Sequence, residues 1–375
     1  MNKSLDLKNI LIFRTGHLGD TLVSLPAYWA VRKSFPEASL TLLSNANSAS
    51  RKYVLAQNIL PEKGLFDDWL TYPIETGKAE YLQSLAVLFK EIRRRKFDAI
   101  VYLMTRNRIP SQVKRDVWFF RLCGIKNIIG TGYLLRHYLD PKSRPPLPEV
   151  ESEADYLLNC LKFEDFPFAA KAISSELLLT SEEISTAQKW LSENCFLHEN
   201  AKRLVAVAPG SKWESKIWSE ERFYQVVGKL IAEKNVFPIV FGGAEDREKG
   251  NRLIEKWGKG ANAAGELDIR PAAAALAKCQ LYVGNDTGTM HLAAAVKTPC
   301  VGIFSAIDWS GRWKPFGENH KIIRKKVECE GCLSPISLKG NKCLDLIEVK
   351  EVYDACLEVL NQETLKNRNL DILIV

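Results

Sequence analysis

The 375-residue chain lacks any run of 18 or more apolar residues, so we predict no transmembrane helix. It also lacks a basic region, an apolar core and a cleavage site in that order at its N-terminus, and residues 9–14 read instead as a first buried strand, so no signal peptide is expected. The nine cysteines are an odd number, and most lie within predicted helices or strands. These features predict reduced thiols and a cytoplasmic protein.

Several motifs that define enzyme classes are missing as well. The sequence has no Gly-x-x-x-x-Gly-Lys-Ser/Thr loop, no serine–histidine–acid arrangement and no metalloprotease helix, which disfavours a P-loop kinase and the common hydrolases. Cys329, Cys332 and Cys343 are three potential ligands where a structural zinc site needs four. We therefore predict no bound metal and no cofactor.

The composition is that of a folded protein with room for two domains. Hydrophobic residues make up 46% of the chain, enough for a sizeable core. Lys and Arg number 52 against 45 Asp and Glu, a net charge of +7. This excess suits phosphorylated ligands or an anionic membrane surface, and it is equally common on proteins with neither partner. No nucleic-acid partner is expected.

Short apolar runs alternate with helical patterns along most of the chain. This alternation predicts parallel sheets covered by helices on both faces. The predicted strands are residues 9–14, 39–44, 97–104, 175–179, 204–208, 237–241, 281–284 and 300–304. The predicted helices are residues 21–33, 81–95, 152–161, 223–233, 289–296 and 348–362. We predict two doubly wound domains, residues 1–180 and 181–347, followed by a C-terminal helix and tail at residues 348–375.

The most informative segment is residues 284–295, which read as a strand end, a polar turn and a helix of small residues. The turn places Asp286, Thr287, Gly288 and His291 around a helix N-terminus, where free N–H groups and the helix dipole attract anions. At the carboxyl end of a strand in an α/β sheet, such an anion is most often the phosphate of a nucleotide. The alternatives are ordinary helix capping by Asp286 and Thr287, and for His291 a satisfied histidine on the helix face.

A second polar loop, residues 15–20, follows the first strand. Gly16 and Gly19 allow close approach of a ligand to the backbone, and their spacing differs from the Gly-x-Gly-x-x-Gly dinucleotide fingerprint. Asp20 has two interpretations, a general base and an ordinary helix cap. His17 lies on the same loop.

Two further loops end the strands of the second half. Gly210 and Ser211 follow one strand, and Lys216 lies six residues after Gly210, where it is either a phosphate clamp or a solvated lysine. Glu245 follows Gly242 and Gly243 at the end of the next predicted strand. Because all four loops lie at carboxyl ends of strands, we expect them to form one site.

Taken together, these loops resemble those of glycosyltransferase family 9, the lipopolysaccharide heptosyltransferases. Three segments carry the resemblance: residues 10–27, residues 208–218 and residues 284–295. The resemblance implies a GT-B fold, with two facing Rossmann-like domains and a central cleft. The first domain would bind the acceptor and the second the nucleotide sugar, and the C-terminal helix would pack back toward the first domain.

The resemblance also implies an activity, namely inverting, metal-independent transfer of a heptose from ADP-heptose to a lipid-linked saccharide of the lipopolysaccharide inner core. Asp20 matches the family's catalytic base, and Lys216 its phosphate-binding lysine. Gly210, Ser211, Asp286, Thr287, Gly288 and His291 would bind the donor, Glu245 its ribose or adenine, and the loop with Gly16, His17 and Gly19 the acceptor. The alternatives are a family 9-like transferase that uses a different nucleotide sugar or acceptor, a GT-B nucleotide-sugar epimerase, and a nucleotide-sugar-binding or scaffold protein that has lost catalysis, against which an intact Asp20 and Lys216 argue.

Two smaller expectations follow from that assignment. Basic runs at residues 93–96 and 324–326 would touch anionic headgroups at the inner face of the inner membrane, or form ordinary solvated faces. The tryptophans expected to line the cleft are Trp213, Trp218, Trp309 and Trp313.

Overall fold

The computed structural model describes residues 7–45, 54–72, 77–164, 166, 173–195, 203–336 and 342–372. The chain divides into two units. The first comprises Met1–Ser143 with Glu151–Leu177, and the second comprises Arg144–Val150 with Leu178–Val375. Residues 144–150, which include Pro145, Pro146 and Pro148, thus belong with the second unit. The later change of unit, at residues 177–178, lies near the boundary predicted at residue 180.

The first unit contains a parallel sheet of five strands in the order β3-β2-β1-β4-β5. The strands are β1 (Asn9–Phe13), β2 (Ser39–Asn45), β3 (Asp68–Tyr72), β4 (Ala99–Tyr102) and β5 (Asn127–Ile129). The helices are α1 (Leu18–Leu22), α2 (Leu25–Ser34), α3 (Lys78–Arg95), α4 (Pro110–Leu122), α5 (Thr131–Arg136) and α6 (Glu153–Phe163). The apolar run of β1 is almost wholly buried, as a central parallel strand covered on both faces requires.

The second unit contains a parallel sheet of six strands in the order β11-β10-β9-β6-β7-β8. The strands are β6 (Arg203–Ala208), β7 (Val236–Val240), β8 (Ala261–Asn262), β9 (Leu281–Asn285), β10 (Cys300–Phe304) and β11 (Lys321–Arg324). The helices are α7 (Ser181–Cys195), α8 (Glu220–Lys234), α9 (Arg247–Trp257), α10 (Ile269–Leu276), α11 (Gly288–Ala295), α12 (Lys342–Asp345) and α13 (Val349–Ile372). Both sheets have the doubly wound order of nucleotide-binding folds.

The C-terminal helix α13 packs against α8 and against strands β9, β10 and β11 of the second unit. Val352, Cys356 and Val359 on α13 are buried in the same apolar cluster as Phe223 of α8. These contacts fix the helix in the second unit, and its expected packing toward the first stays a prediction.

Two of the predicted elements differ in kind from those in the structure, and strands β3, β5, β8 and β11 were not predicted. The predicted helix at residues 21–33 is two helices, α1 and α2, because Pro26 lies in the first turn of α2, where its missing N–H costs nothing. Residues 175–179 were predicted to be a strand and have no regular secondary structure, so that prediction was wrong. Trp29 on α2 donates a 2.9 Å hydrogen bond to the carbonyl oxygen of Glu176 and so holds this segment in place without a sheet partner.

Candidate functional site

Each sheet has one point at which the strand order reverses. In the first unit this point lies between β1 and β4, and in the second it lies between β6 and β9. Loops at the carboxyl ends of strands diverge at such a point and leave a crevice in which α/β proteins bind ligands. The loops after β1, β6 and β9, all singled out from the sequence, begin at these two points.

Asp20 lies in the short helix α1 after β1, at its third position and not at its N-cap. Asp20 Oδ2 accepts a 2.9 Å hydrogen bond from the backbone N–H of His17, the N-cap residue. Arg14 Nη2 lies 3.3 Å from Asp20 Oδ1, and the Asp20 side chain remains 18% exposed. The carboxylate is therefore fixed in place from two sides while part of it still faces solvent.

Gly16 lets the loop close around this carboxylate. A methyl group on Gly16 would overlap Cβ and Cγ of Asp20, and its φ of +153° is one that side chains rarely adopt. The Gly16 N–H donates a 2.9 Å hydrogen bond to Asn45 Oδ1 at the end of β2. The loop is thus tied to the neighbouring strand as well as to α1.

A chain of buried charges that sequence reasoning missed lies behind Asp20. Arg14 and Glu153 are fully buried, and Arg14 Nη1 lies 3.8 Å from Glu153 Oε1. Arg106, also buried, places Nε 3.6 Å from Glu153 Oε2. Arg14 Nη1 also donates a 2.9 Å hydrogen bond to the Leu103 carbonyl oxygen at the end of β4. The arginine that contacts Asp20 is therefore itself held by the core of the first unit.

In the second unit the structure brings Lys216 and Asp286 together. Lys216 Nζ donates a 2.6 Å hydrogen bond to Asp286 Oδ2, and the side chains are only 16% and 8% exposed. Lys216 belongs to a short 3₁₀ turn, Glu214–Lys216, and its ammonium also lies 5.6 Å from the centroid of the Trp213 ring. These contacts hold the Lys216 ammonium in a fixed position. The alternative interpretation of Lys216 as a solvated surface lysine therefore does not apply.

Asn285, the last residue of β9, joins the two loops of the second unit and was not assigned a role from the sequence. Its Nδ2 donates to the carbonyl oxygens of Pro209 at 3.0 Å and Gly210 at 3.3 Å, and its Oδ1 accepts from the Trp218 N–H at 3.1 Å. The side chain is fully buried. A buried amide with three such bonds fixes the loop after β6 against the loop after β9.

The helix α11 begins directly after this pair. Thr287 is its N-cap, with an extended backbone and no side-chain capping bond, and Gly288 is the first helical residue. The first N–H groups of a helix have no partner within it, so they are donors for an anion. His291 is buried one turn further on, with its ring centroid 6.2 Å from that of Trp313.

The loop after β7 presents Asp246 to this region. A methyl group on Gly210 or on Gly242 would overlap the Asp246 carboxylate, which therefore lies directly between the ends of β6 and β7. Burial raises the pKa of the Asp246 carboxyl above its ordinary value, against the opposing effect of Lys249. Glu245, the sequence candidate, is exposed, and its carboxylate folds back over Gly243.

Ser211, in the loop after β6, contacts the backbone of its own loop. Ser211 Oγ accepts a 3.2 Å hydrogen bond from the Trp213 N–H.

Of the four tryptophans expected to line a cleft, Trp218 does not. It is 1% exposed in the apolar core of the second unit and contacts Phe223 edge to face. Trp309 and Trp313 line a small cavity beyond the end of β10, and Trp213 lies at the surface beside Lys216.

The cysteines are all free thiols. Cys329 and Cys332 are exposed, whereas Cys343 is buried, and its pKa is raised by that burial. Among the residues that the structure describes, no group of three or more His, Cys, Asp or Glu side chains is arranged to hold a metal ion.

Comparisons with known proteins establish the family of the chain. The model of glycosyltransferase family 9 (heptosyltransferase) matches residues 86–342. Lipopolysaccharide heptosyltransferase 2 of Escherichia coli K12 is 22% identical over 332 residues, which cover 84% of this chain and 87% of that protein.

Two solved structures share the fold. A family 9 glycosyl transferase from Veillonella parvula DSM 2008 superposes with a TM-score of 0.71 at 20% identity, covering 96% of this chain and 99% of the other. The E. coli ADP-heptose LPS heptosyltransferase II gives a TM-score of 0.64 at 18% identity, covering 95% and 99%. The chain therefore belongs to glycosyltransferase family 9 and is a glycosyltransferase with a GT-B fold.

Proposed function

We propose that this enzyme transfers a heptose from ADP-heptose to a lipid-linked saccharide of the lipopolysaccharide inner core, with inversion at the anomeric carbon. The observation that carries the proposal is the position of Lys216, held 2.6 Å from Asp286 where α11 begins. The heptosyl donor is taken from the relatives, since the E. coli enzyme of the same fold is described as an ADP-heptose LPS heptosyltransferase.

The second unit supplies the groups that a nucleoside diphosphate needs. The N-terminal N–H groups of α11 and the Lys216 ammonium would bind the two phosphates, and His291 would add a donor. Gly210, Ser211, Asp286, Thr287 and Gly288 belong to the two loops that Asn285 joins. Glu245, as predicted, or its neighbour Asp246 would accept hydrogen bonds from the ribose hydroxyls.

The first unit supplies the base. Asp20 would accept the proton of the attacking acceptor hydroxyl, and the loop with Gly16, His17 and Gly19 would position that acceptor. Arg14 and the His17 N–H hold the carboxylate in one orientation without covering it. A carboxylate can act here because its proton transfer is concerted with formation of the new bond.

The reaction balances as a single displacement. The acceptor oxygen forms a bond to the anomeric carbon, its proton passes to Asp20, and the bond from that carbon to the β-phosphate oxygen breaks. ADP leaves with the bonding electrons, so negative charge grows on the phosphate oxygens. Lys216 and the N-terminus of α11 are already in place to stabilise that charge, which is how preorganised groups accelerate a reaction.

A lipid-linked acceptor requires contact with a membrane surface, which we assign to the first unit. Trp118 and Leu122 lie one turn apart on α4 and are 68% and 61% exposed. Arg93 of α3 donates a 3.1 Å hydrogen bond to the Leu122 carbonyl oxygen. The neighbouring α4 positions include the exposed Lys114 and Arg121, and Arg115, which is also exposed but pairs with Asp116 at 3.1 Å. Exposed aromatic and aliphatic side chains among cations are typical of a surface that binds the interface of an anionic bilayer.

The basic runs predicted to touch headgroups are partly neutralised. Arg94 and Arg95 both pair with Glu91, and Arg95 also pairs with Asp68. Arg324 and Lys325 pair with Glu330 and Glu351. The membrane surface we propose is therefore the α4 face with Arg93. No helix among the described residues is long and apolar enough to cross a bilayer.

The proposal is tested by incubating pure protein with a lipid A–inner core acceptor and a panel of nucleotide sugars, and measuring nucleoside diphosphate release. Acceptor-dependent release from ADP-heptose, with a product of increased mass, is the expected result. If nucleoside diphosphate is released only from another nucleotide sugar, that sugar nucleotide replaces ADP-heptose as the donor. Binding of ADP without transfer from any donor would contradict the proposal.

A further inference from the structure

A cavity of about 250 Å³ lies within the second unit, beyond the carboxyl end of β10. Its wall includes Phe304 and Ser305 at the strand end, Asp308 and Trp313 from the following loop, and Asp286 from the loop after β9. Asp286 is part of this wall and also pairs with Lys216, so the cavity lies directly beside the Lys216–Asp286 pair. It is below the ~300 Å³ at which pockets for drug-sized ligands begin, and suits a single sugar ring.

The wall combines aromatic rings with fixed hydrogen-bonding groups. Trp313 Nε1 donates a 2.8 Å hydrogen bond to Asp308 Oδ2, and the Trp309 N–H donates to Asp308 Oδ1 at 2.8 Å. Burial raises the pKa of the Asp308 carboxyl, but Arg312, the two tryptophan donors and Lys216 outweigh it and hold that pKa below its ordinary value. Asp308 is therefore an ionised acceptor near Lys216, beside an indole.

Ser305 adds a hydroxyl group that can still form a hydrogen bond. The residue is 6% exposed, and within the described part of the chain its Oγ has no hydrogen-bond partner. Burying a hydroxyl without a partner is unfavourable, so such groups are usually satisfied by a ligand or water. Rotation about a single side-chain bond turns the hydroxyl of a serine that lines a cavity toward its occupant.

The charges around the cavity balance one another. Glu149 pairs with Lys314 at 2.9 Å, and Asp308 pairs with Arg312 at 3.2 Å. Arg324, also in the wall, pairs with Glu330 at 3.3 Å. An occupant that carried its own charge would have to displace one of these pairs, whereas hydroxyl groups can bond to the carboxylates without doing so.

The position of the cavity relative to the strands of the sheet indicates which part of a nucleotide sugar it binds. The Asp246 loop follows β7, and the cavity follows β10, so the two lie on opposite sides of the switch point between β6 and β9. In a nucleotide sugar, the nucleoside and the sugar are attached to opposite ends of the diphosphate. A diphosphate on α11 with its nucleoside toward β7 therefore directs its sugar toward β10.

We propose that this cavity binds the glycosyl group of the donor and selects a neutral, polyhydroxylated sugar. Trp313 packs against the C–H face of the ring, and Asp308 and Ser305 bond to its hydroxyls. This inference rests on the proposed function, because it assumes a nucleotide-sugar donor on α11. It adds Ser305 and Asp308, neither of which was assigned a role from the sequence, and it gives Trp313, which was expected to line the cleft, a specific contact with the sugar.

The experiment compares binding of ADP and of ADP-glucose, by calorimetry without acceptor, in the wild-type protein and in Trp313→Ala and Ser305→Ala. Both variants should raise the Kd for ADP-glucose, Trp313→Ala by about tenfold, the size expected for one lost aromatic contact. The Kd for ADP should stay within twofold of wild type. Ser305→Ala should not lower the unfolding midpoint of the free protein, because it removes a buried hydroxyl that has no partner.

Ser192→Ala is the matched control, since this exposed serine on α7 lies outside the cavity. Wild-type protein should bind ADP-glucose more tightly than its C6-oxidised counterpart, ADP-glucuronate. The assignment to the donor sugar would be overturned if Trp313→Ala raised the Kd for ADP as much as the Kd for ADP-glucose. It would also be overturned if this variant raised the KM for the acceptor and left the affinity for the donor unchanged. Failure of the wild-type protein to bind ADP at all would instead contradict the proposed function.

Discussion

Lys216 Nζ lies 2.6 Å from Asp286 Oδ2, although the two residues are 70 positions apart in the sequence. Both side chains are largely buried. The pair joins the loop after β6 to the loop after β9 at the switch point of the second sheet. An ammonium group held there by a carboxylate keeps one geometry before any ligand binds, and a diphosphate can then use it at little cost in side-chain entropy.

Replacement of this lysine should weaken nucleotide binding. We expect Lys216→Met to raise the Kd for ADP by at least tenfold and to lower kcat for transfer, because the lost cation stabilises both the bound phosphates and the leaving group. Calorimetry and steady-state kinetics measure the two effects. Lys321→Met, which removes an exposed lysine paired with Glu358, is the control. An unchanged Kd for ADP in Lys216→Met would contradict its role as a phosphate ligand.

Asp20→Asn should separate catalysis from binding. An asparagine keeps an acceptor for the His17 N–H, so the loop should stay in place while the base is lost. We expect kcat to fall by about 10²–10⁴-fold, the usual contribution of general base catalysis, with little change in donor Kd. Asp140→Asn, in an exposed loop, should keep full activity. Turnover by Asp20→Asn equal to that of wild type would rule out the base assignment.

Gly16→Ala tests whether the position of Asp20 matters as much as its charge. The added methyl group would overlap the Asp20 side chain, so the carboxylate or the loop must move. We expect a loss of about 1–3 kcal/mol in stability from the overlap and a fall in kcat with unchanged ADP affinity. Gly77→Ala is the matched control, because a methyl group there meets no atom within 4 Å. Full activity in Gly16→Ala would show that the loop tolerates displacement.

The sequence predicted the parts of this enzyme that depend on local pattern. Buried strands such as Cys300–Phe304 and the polar turn before α11 follow from hydrophobicity and spacing. Edge strands as short as β8, which has two residues, contain too little hydrophobic pattern to be predicted from the sequence. Trp218 was misassigned because its burial depends on packing against Phe223 and α13, which no local pattern reveals.

The same reason explains which site residues were missed. Glu153 is 139 residues from Arg14 in the sequence, and only the fold places its carboxylate beside that guanidinium. Asn285 lies inside the recognised motif, yet its role depends on carbonyl oxygens of another loop. Asp308 follows the end of β10 within a loop that has no recognisable motif, so its function depends on the cavity that the loop forms. The sequence identified loops, and tertiary contacts determine which of their side chains lie together.

The stability of the second unit should fall in mild acid because of His320. Its Nδ1 accepts a 3.1 Å hydrogen bond from the Cys300 N–H, and burial lowers its pKa below the ordinary value. Folding therefore favours the neutral imidazole, so its contribution to stability is complete above the unfolded pKa of ~6.5 and is lost as the pH falls through the folded pKa. Urea unfolding from pH 8 to pH 5 should show a smaller decrease for His320→Asn, which keeps an acceptor, than for wild type. Parallel pH dependences would contradict this explanation.

The α4 face should control binding to anionic vesicles. We expect Trp118→Ala with Leu122→Ala to reduce co-sedimentation with phosphatidylglycerol-containing vesicles severalfold, because the two most exposed apolar side chains of α4 are lost. Higher salt should weaken wild-type binding, since the neighbouring cations contribute through screened attraction. Leu346→Ala, which removes an exposed leucine of the second unit, is the control. The double variant should keep its activity on a soluble, delipidated acceptor and lose activity on a vesicle-bound one. Equal loss on both acceptors would show that the α4 face acts in folding or catalysis and not in membrane binding.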